Sequence, residues 1–195
     1  MEPDDAQIVA RARGGDDEAF RALVERHSRA LFRLAWRITG NEQDAEDVVQ
    51  ESYMKAYRSL GSFESRANFG TWLHKITANC ALDLARSRQR RRELNLAADG
   101  DDDAPDPLEQ VASGGPSPDR VLHQEDVGRR VNAALGLLSA QERAAFVLRH
   151  FEERSIDEIG RTLGLRENAT KQSIFRAVRK LRRALEPLAA PARSE

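Results

Sequence analysis

"SAQERAAFVLRHFEERSIDEIGRTLGLRENATKQSIFRAVRKLRR", Ser139–Arg183, carries the pattern that decides the architecture. It contains two capping boxes, "SAQE" (Ser139 to Glu142) and "SIDE" (Ser155 to Glu158). In each, the serine oxygen and the glutamate can satisfy first-turn N–H groups, so each opens a helix. After the second box come Ile159, Gly160, Leu163, Gly164 and Leu165, then a basic helical segment running to Pro187. A short helix, a glycine turn and a basic second helix form a helix-turn-helix pattern. Gly160 allows close helix approach, and Gly164 takes the backbone through a turn where a side chain would be strained.

From Arg166 to Arg183 the second helix carries Arg166, Lys171, Arg176, Arg179, Lys180, Arg182 and Arg183 against the single acid Glu167. Lys171, Gln172, Ser173 and Arg176 lie near its start, where a recognition helix reaches base edges. The later basic residues, Arg179 and Lys180 among them, are placed for phosphates, which position without reading sequence. The competing reading is an exposed basic helix on an ordinary bundle. Asn168-Ala169-Thr170 matches a glycosylation sequon, a chance match in a cytosolic helical segment. Upstream, Val127, Val131, Leu135 and Leu138 make one helical stripe.

The N-terminal half is also helical. Phe20, Leu23, Val24, His27, Leu31, Leu34, Ala35 and Ile38 recur at three- and four-residue steps until Gly40. Asn41 caps a second helix, in which Ala45, Val48, Val49, Ser52, Tyr53, Ala56 and Tyr57 face inward and Gly61 is the stop. On its outward face lie Gln43, Glu46, Asp47, Gln50 and Met54, with Glu51 beside it. An acidic face with an exposed methionine suits a protein partner, and equally suits plain solvation. A third helix starts near Asn68 within "ANFGTWLHKITANCALDLARSRQRRR", Ala67–Arg92. Phe69, Trp72, Leu73, Ile76, Cys80 and Leu84 form its apolar stripe, and Trp72 is expected in the core. Lys75, Asn79, Asp83, Arg86 and Arg90 form a polar row beside the stripe. Five arginines fall between Arg86 and Arg92, more than a solvated helix end needs, so phosphate binding is the better reading. Period-two alternation is absent and no sheet is expected.

Between the halves, Glu93 to Asp119 holds eight acids and no lysine or arginine. The whole chain has 31 basic and 32 acidic residues, a formal net charge of -1. Without the acidic segment the count is 31 against 24, a net of +7. "AADGDDDAPDPLEQVASGGPSP" is rich in Asp, Pro, Gly and Ser and reads as a flexible, self-repelling linker. Cys80 is the single cysteine, which excludes an intrachain disulfide and a thiolate zinc cluster and reads as a small core residue. The four histidines are scattered. With 195 residues, 32% charged, and a mean hydropathy of -0.63, the chain reads as soluble. No apolar run approaches the roughly 18 residues of a membrane span, and the N-terminus lacks a signal-peptide core. A cytoplasmic location is expected.

These pieces, in this order, resemble the extracytoplasmic-function sigma factors, two-domain bacterial initiation factors with regions two and four only. "AFRALVERHSRALFRLAWRITGNEQDAEDVVQESYMKAYRSLGSF" is similar to the start of region two, and "FGTWLHKITANCALDLARSRQRR" to its promoter-melting and minus-ten-reading part. "LSAQERAAFVLRHFEERSIDEIGRTLGL" with the basic helix is similar to region four. The resemblance implies that Asp47, Gln50 and Glu51, with Met54 beside them, contact the clamp helices of the polymerase largest subunit. It implies that Phe63 to Asn68, including Ser65 and Arg66, capture a flipped base, and that Asn79 and Asp83 line the minus-ten strand. Lys171, Gln172, Ser173, Phe175 and Arg176 correspond to the minus-thirty-five recognition helix. The chain departs from the family pattern at Arg166, Thr170 and Ser173.

The expectation is therefore an all-α protein of two small helical domains joined by a flexible acidic linker, the second containing the helix-turn-helix. Its parts are a region-two-like domain over 1–93, a linker over 94–118, a region-four-like domain over 119–187 and a tail over 188–195. Its expected partners are core RNA polymerase, promoter DNA (duplex upstream element and melted non-template strand) and an anti-sigma factor. No cofactor, metal, small-molecule substrate or membrane insertion is expected. A free-standing helix-turn-helix regulator is the alternative, although the region-two-like half counts against it. A helical adaptor would leave the basic clusters idle. An enzyme is not expected, because no nucleophile, carboxylate pair, phosphate loop or metal set is present.

Overall fold

The computed structural model describes residues 4–63, 68–98 and 131–189, and among them every regular element is a helix. In the N-terminal half these are α1 (Asp5–Arg13), α2 (Asp17–Thr39), α3 (Glu42–Ser59), a 3-10 turn (Leu60–Ser62) and α4 (Phe69–Ala98). The C-terminal half has a helical stretch α5 over 131–136, then α6 (Ala140–His150), α7 (Ile156–Leu163) and α8 (Glu167–Ala189). Compact units divide near Arg86, at the middle of α4. Most of the expected linker, together with Val127 and the last six residues, lies outside the described residues.

Local chemistry sets the helix ends. Asp16 accepts a bond from the Ala19 N–H at 3.0 Å and opens α2. That backbone donor, and then the Arg11 guanidinium, hold the Asp16 carboxyl below its usual range. Gly40 ends α2 in the left-handed region at φ 77°, and Asn41 Oδ1 accepts from the Asp44 N–H at 2.9 Å to start α3. The expected stop at Gly61 falls inside the 3-10 turn, and α3 itself ends at Ser59. Asn68 enters α4, its Oδ1 accepting from Gly70 N–H at 2.8 Å and its carbonyl from Trp72 N–H at 3.1 Å.

The N-terminal core is shared by four helices. Leu23 and Leu31 of α2, Tyr53 and Ala56 of α3, and Phe69 and Leu73 of α4 are buried together. Helix α1, for which the pattern analysis had no expectation, adds Ile8, Val9 and Ala12. Its polar remainder hides so short an apolar stripe, since three buried residues in nine give little periodicity. Tyr53 is buried, its hydroxyl donating to Val24 O at 3.0 Å, and burial raises its pKa. Tyr57 departs from expectation. It is 52% exposed, lying edge-on to Phe20 with its hydroxyl 3.3 Å from Asp17 Oδ1. It is the last inward position of α3, where the covering helix offers only its first turn.

Burial on α4 is broader than the expected stripe. Phe69, Leu73, Thr77, Ala78, Cys80, Ala81 and Leu82 are all buried, which takes more than half the helix circumference. Trp72 is half-buried, not fully enclosed, and packs on Phe63 and Phe69 with ring centroids 4.8 and 5.6 Å away. The helix also runs to Ala98, five residues into the segment expected as linker. Likewise α8 continues to Ala189, two residues beyond Pro187.

In the C-terminal unit, Ala134, Leu135 and Leu138 pack against Ala177 and Leu181 of α8. Both capping boxes form. Ser139 Oγ accepts from Glu142 N–H at 3.3 Å while Glu142 Oε2 accepts from Ser139 N–H at 3.0 Å. Ser155 and Glu158 repeat this at 3.2 and 2.9 Å. Arg143 is buried and donates to Asn132 Oδ1 at 3.2 Å, and burial lowers its pKa to about 10.

The turn is built as the glycines require. Gly164 has φ 67°, and Leu165 N–H donates back to Gly160 O at 2.8 Å. A Cβ on Gly160 would stand 2.9 Å from Leu165 O and 3.3 Å from Thr170 Oγ1. Thr170 is itself fully buried, with its hydroxyl donating to Arg166 O at 3.2 Å, so its polar group is satisfied inside the unit. Gly160→Ala should therefore cost about 1–3 kcal/mol through overpacking against backbone that cannot yield. Urea unfolding followed by circular dichroism checks this, and unchanged stability would mean that the turn relaxes freely.

Candidate nucleic-acid and polymerase interfaces

Three exposed faces carry the candidate residues. On α3, Gln43, Glu46, Asp47, Gln50, Glu51 and Met54 are all exposed, as their spacing implies. The face is acidic but not uniform, because Lys55 reaches Glu51 at 3.3 Å. Met54 is 43% exposed, an apolar side chain held out among carboxylates. Such a face repels DNA and offers a second protein both charge and a polarizable apolar contact.

The second face is the strip of α4 left uncovered by the core. At 100° per residue, Lys75, Arg86, Asn79, Arg90 and Asp83 fall within one quarter of the circumference. Lys75, Asp83 and Arg90 are exposed, whereas Asn79 and Arg86, inside the strip, are half-buried. Trp72 shares this azimuth, so its outer edge borders the polar row. Asn68, also exposed, stands at the strip's entrance. Ser65 and Arg66 lie outside the described residues. Phe63 does not belong with the exposed set. It is 6% exposed, with its ring 5.8 Å from Phe69 and 4.8 Å from Trp72. Its large apolar ring gains more from this aromatic cluster than from solvent, so it is a core residue at the loop's edge.

The third face belongs to α8. Lys171, Gln172, Phe175, Arg176 and Arg179 project along one exposed arc, with Asn168 on the same arc one turn earlier. Phe175 is 64% exposed, and an aromatic left in water on a basic helix calls for a partner surface. Lys171 pairs with Glu167 four residues back, an exposed ion pair that costs little to exchange for a phosphate.

Two expected readers sit off that arc. Ser173 is buried, its hydroxyl donating to Ala169 O at 2.9 Å and accepting from Gln141 Nε2 at 3.1 Å. Lys180 places Nζ 2.6 Å from Glu142 Oε2. Both residues face α6, because each stands within one turn of the buried Ala177, Ser173 four residues before it and Lys180 three after it. Their polar atoms are committed within the unit. The signal was available in the sequence, since a seven-residue spacing puts both beside the apolar seam.

The Glu142 site also fixes a pH dependence. Burial pushes its carboxyl up, but the Lys180 ammonium and the Ser139 N–H more than offset this, and its pKa is lowered from the usual value of 4.5. A depressed carboxylate stabilises fully above its unfolded pKa and loses that contribution as pH falls through its folded pKa. The C-terminal unit should thus melt at lower temperature as pH drops below about 4.5, and Glu142→Gln should flatten that acid limb. Calorimetry across the range checks it; an unaltered acid limb in the variant would remove Glu142 as its cause.

Among the described residues no group of three or more His, Cys, Asp or Glu is placed to hold a metal ion. Among them, too, no helix is long and apolar enough to cross a membrane.

Comparison with known proteins assigns both halves. Residues 23–91 match the model of Sigma-70 region 2, and residues 128–181 match that of Sigma-70, region 4. The extracytoplasmic-function (ECF) RNA polymerase sigma factor SigE of Mycolicibacterium smegmatis is 36% identical over 82% of this chain, which spans 59% of that relative. The ECF RNA polymerase sigma factor SigM of Mycobacterium tuberculosis is 35% identical over 94% of this chain and 86% of its own length. Among solved structures, the sigma factor RpoE in complex with the anti-sigma factor NepR, from Bartonella quintana, matches with a TM-score of 0.60. It is 26% identical, over 86% of this chain and 96% of that one. Two sigma regions in order and near full-length relatives place this chain among the extracytoplasmic-function sigma factors, which direct RNA polymerase to promoters.

Proposed function

We propose that this chain binds core RNA polymerase through the α3 face of Asp47, Gln50, Glu51 and Met54. The α4 strip of Lys75, Asn79, Asp83, Arg86 and Arg90, entered at Asn68, holds the melted minus-ten strand. Lys171, Gln172, Phe175, Arg176 and Arg179 of α8 enter the major groove at the minus-thirty-five element. The observation that carries this reading is the segregation of exposed charge: an acidic face on α3, and basic faces on α4 and α8. Single-strand binding needs a basic groove, duplex reading needs a helix with projecting polar side chains, and neither tolerates the acids of α3. Phe175 is suited to a thymine methyl group.

The chain acts in the cytoplasm as a specificity subunit and performs no catalysis of its own. Its activity is held in check by an anti-sigma factor, as the complex of RpoE with NepR suggests. The test is reconstitution: purified chain added to core polymerase and sheared genomic DNA, with transcript starts mapped. Starts that share paired upstream elements, absent with core enzyme alone, are the expected result. Binding to DNA without core polymerase, and no new starts with it, would favour the free-standing regulator.

A further inference from the structure

We infer that Asn168 and Gln172, amides one turn apart on α8, are specificity residues that read two adenines in the upstream duplex. This rests on the major-groove reading of α8 proposed above and adds Asn168 to it.

The core fixes the rotation of α8 about its axis. Thr170, Ser173, Ala177 and Leu181 are buried and lie along one side of the helix. At about 100° per residue, Asn168 stands about 180° from the middle of that side and Gln172 about 145° from it. Asn168 therefore crowns the exposed arc, with Gln172 next along it. Thr170, seated against Gly160, and Ser173, held by Gln141 Nε2 at 3.1 Å, keep the arc turned outward. Both amides are exposed, and neither has a hydrogen-bond partner among the described residues.

Their chemistry differs from that of the cations around them. Arginine and lysine only donate, so they suit phosphates or the two acceptors of guanine, O6 and N7. An amide is uncharged and sets a carbonyl acceptor beside an N–H donor. That pair complements the major-groove edge of adenine, where the N7 acceptor lies beside the N6 donor. Guanine offers two acceptors there and leaves the amide carbonyl without a partner. Four residues advance about 6 Å along a helix and stacked bases about 3.4 Å, so the two amides address base pairs no more than two steps apart. Phe175, 64% exposed and three residues beyond Gln172, borders the amides on the same arc. It meets the other mark of an A·T pair, the thymine methyl group.

The test uses holoenzyme and duplex promoters randomised over the upstream element. Wild type should select adenine at two positions no more than two steps apart. Asn168→Ala should relax one of them and Gln172→Ala the other, each cutting the preference for adenine about tenfold. Both sites are exposed on a helix and alanine is a good helix former, so the fold should hold. Asn168→Asp, which only accepts, should move the preference at its position to cytosine, whose N4 donates. Placing 7-deaza-adenine at that position removes N7. It should weaken wild-type binding severalfold and leave Asn168→Ala unaffected. Unchanged preference in the alanine variants, an equal loss on every sequence, or relaxation at a position that is not adenine overturns the amide reading and leaves the groove reading standing. If wild-type holoenzyme selects no upstream element at all, the groove reading falls and the amide reading falls with it.

Discussion

Phe69→Ala is expected to destabilise the N-terminal unit by about 3–5 kcal/mol, the cost of emptying a large aromatic site. Phe69 is 3% exposed at the first position of α4 and touches three rings, those of His27, Phe63 and Trp72. Removing it leaves a cavity between α2, α4 and Phe63, which cannot collapse without moving the chain just after the 3-10 turn. Trp72→Ala should cost less, because the indole is only half-buried and part of its surface already meets water. Asn79→Ala, in the polar strip, should barely change stability. Thermal unfolding of the three variants tests this order. A Trp72 variant as damaged as the Phe69 variant would mean that the indole, not the phenyl ring, is the keystone.

The second large effect concerns the polymerase. Reversing Asp47 and Glu51 together to lysine should weaken core binding on the order of a hundredfold or more, the range seen when close charge pairs across an interface are reversed. Both side chains are exposed and stand apart from the core, so helicity should not change. The Glu51 change also sets three cations close together by removing the Lys55 ion-pair partner, which alone costs little at a solvated site. Fluorescence anisotropy with labelled core enzyme measures it. Equal affinity for wild type and the double variant would move the contact off this face.

Much of the protein is legible one residue after another. Apolar spacing locates α2, α3 and α4, the two S-x-x-E boxes place the starts of α6 and α7, and Gly40 and Gly164 adopt the left-handed backbone that only glycine takes without strain. These features depend on neighbours within one or two turns, so sequence determines them directly. The acidic α3 face and most of the α8 arc follow for the same reason: position on a helix is arithmetic.

What one helix presents to another is not arithmetic. Ser173 and Lys180 carry the residue types of a DNA-reading helix, and only the packing of α6 beside α8 turns them toward Gln141 and Glu142. Phe63 falls in a stretch that resembles a base-capturing loop, and only the meeting of the 3-10 turn with α4 gives its ring Phe69 and Trp72 to pack on. Helix α1 has too few apolar residues to declare itself, and its role appears when Asp5 and Arg13 find partners 22 and 48 residues away. Such contacts form between segments whose separation along the chain carries no local signal. Their free energy arises from desolvation and charge pairing once the helices have met, so tertiary structure alone decides them.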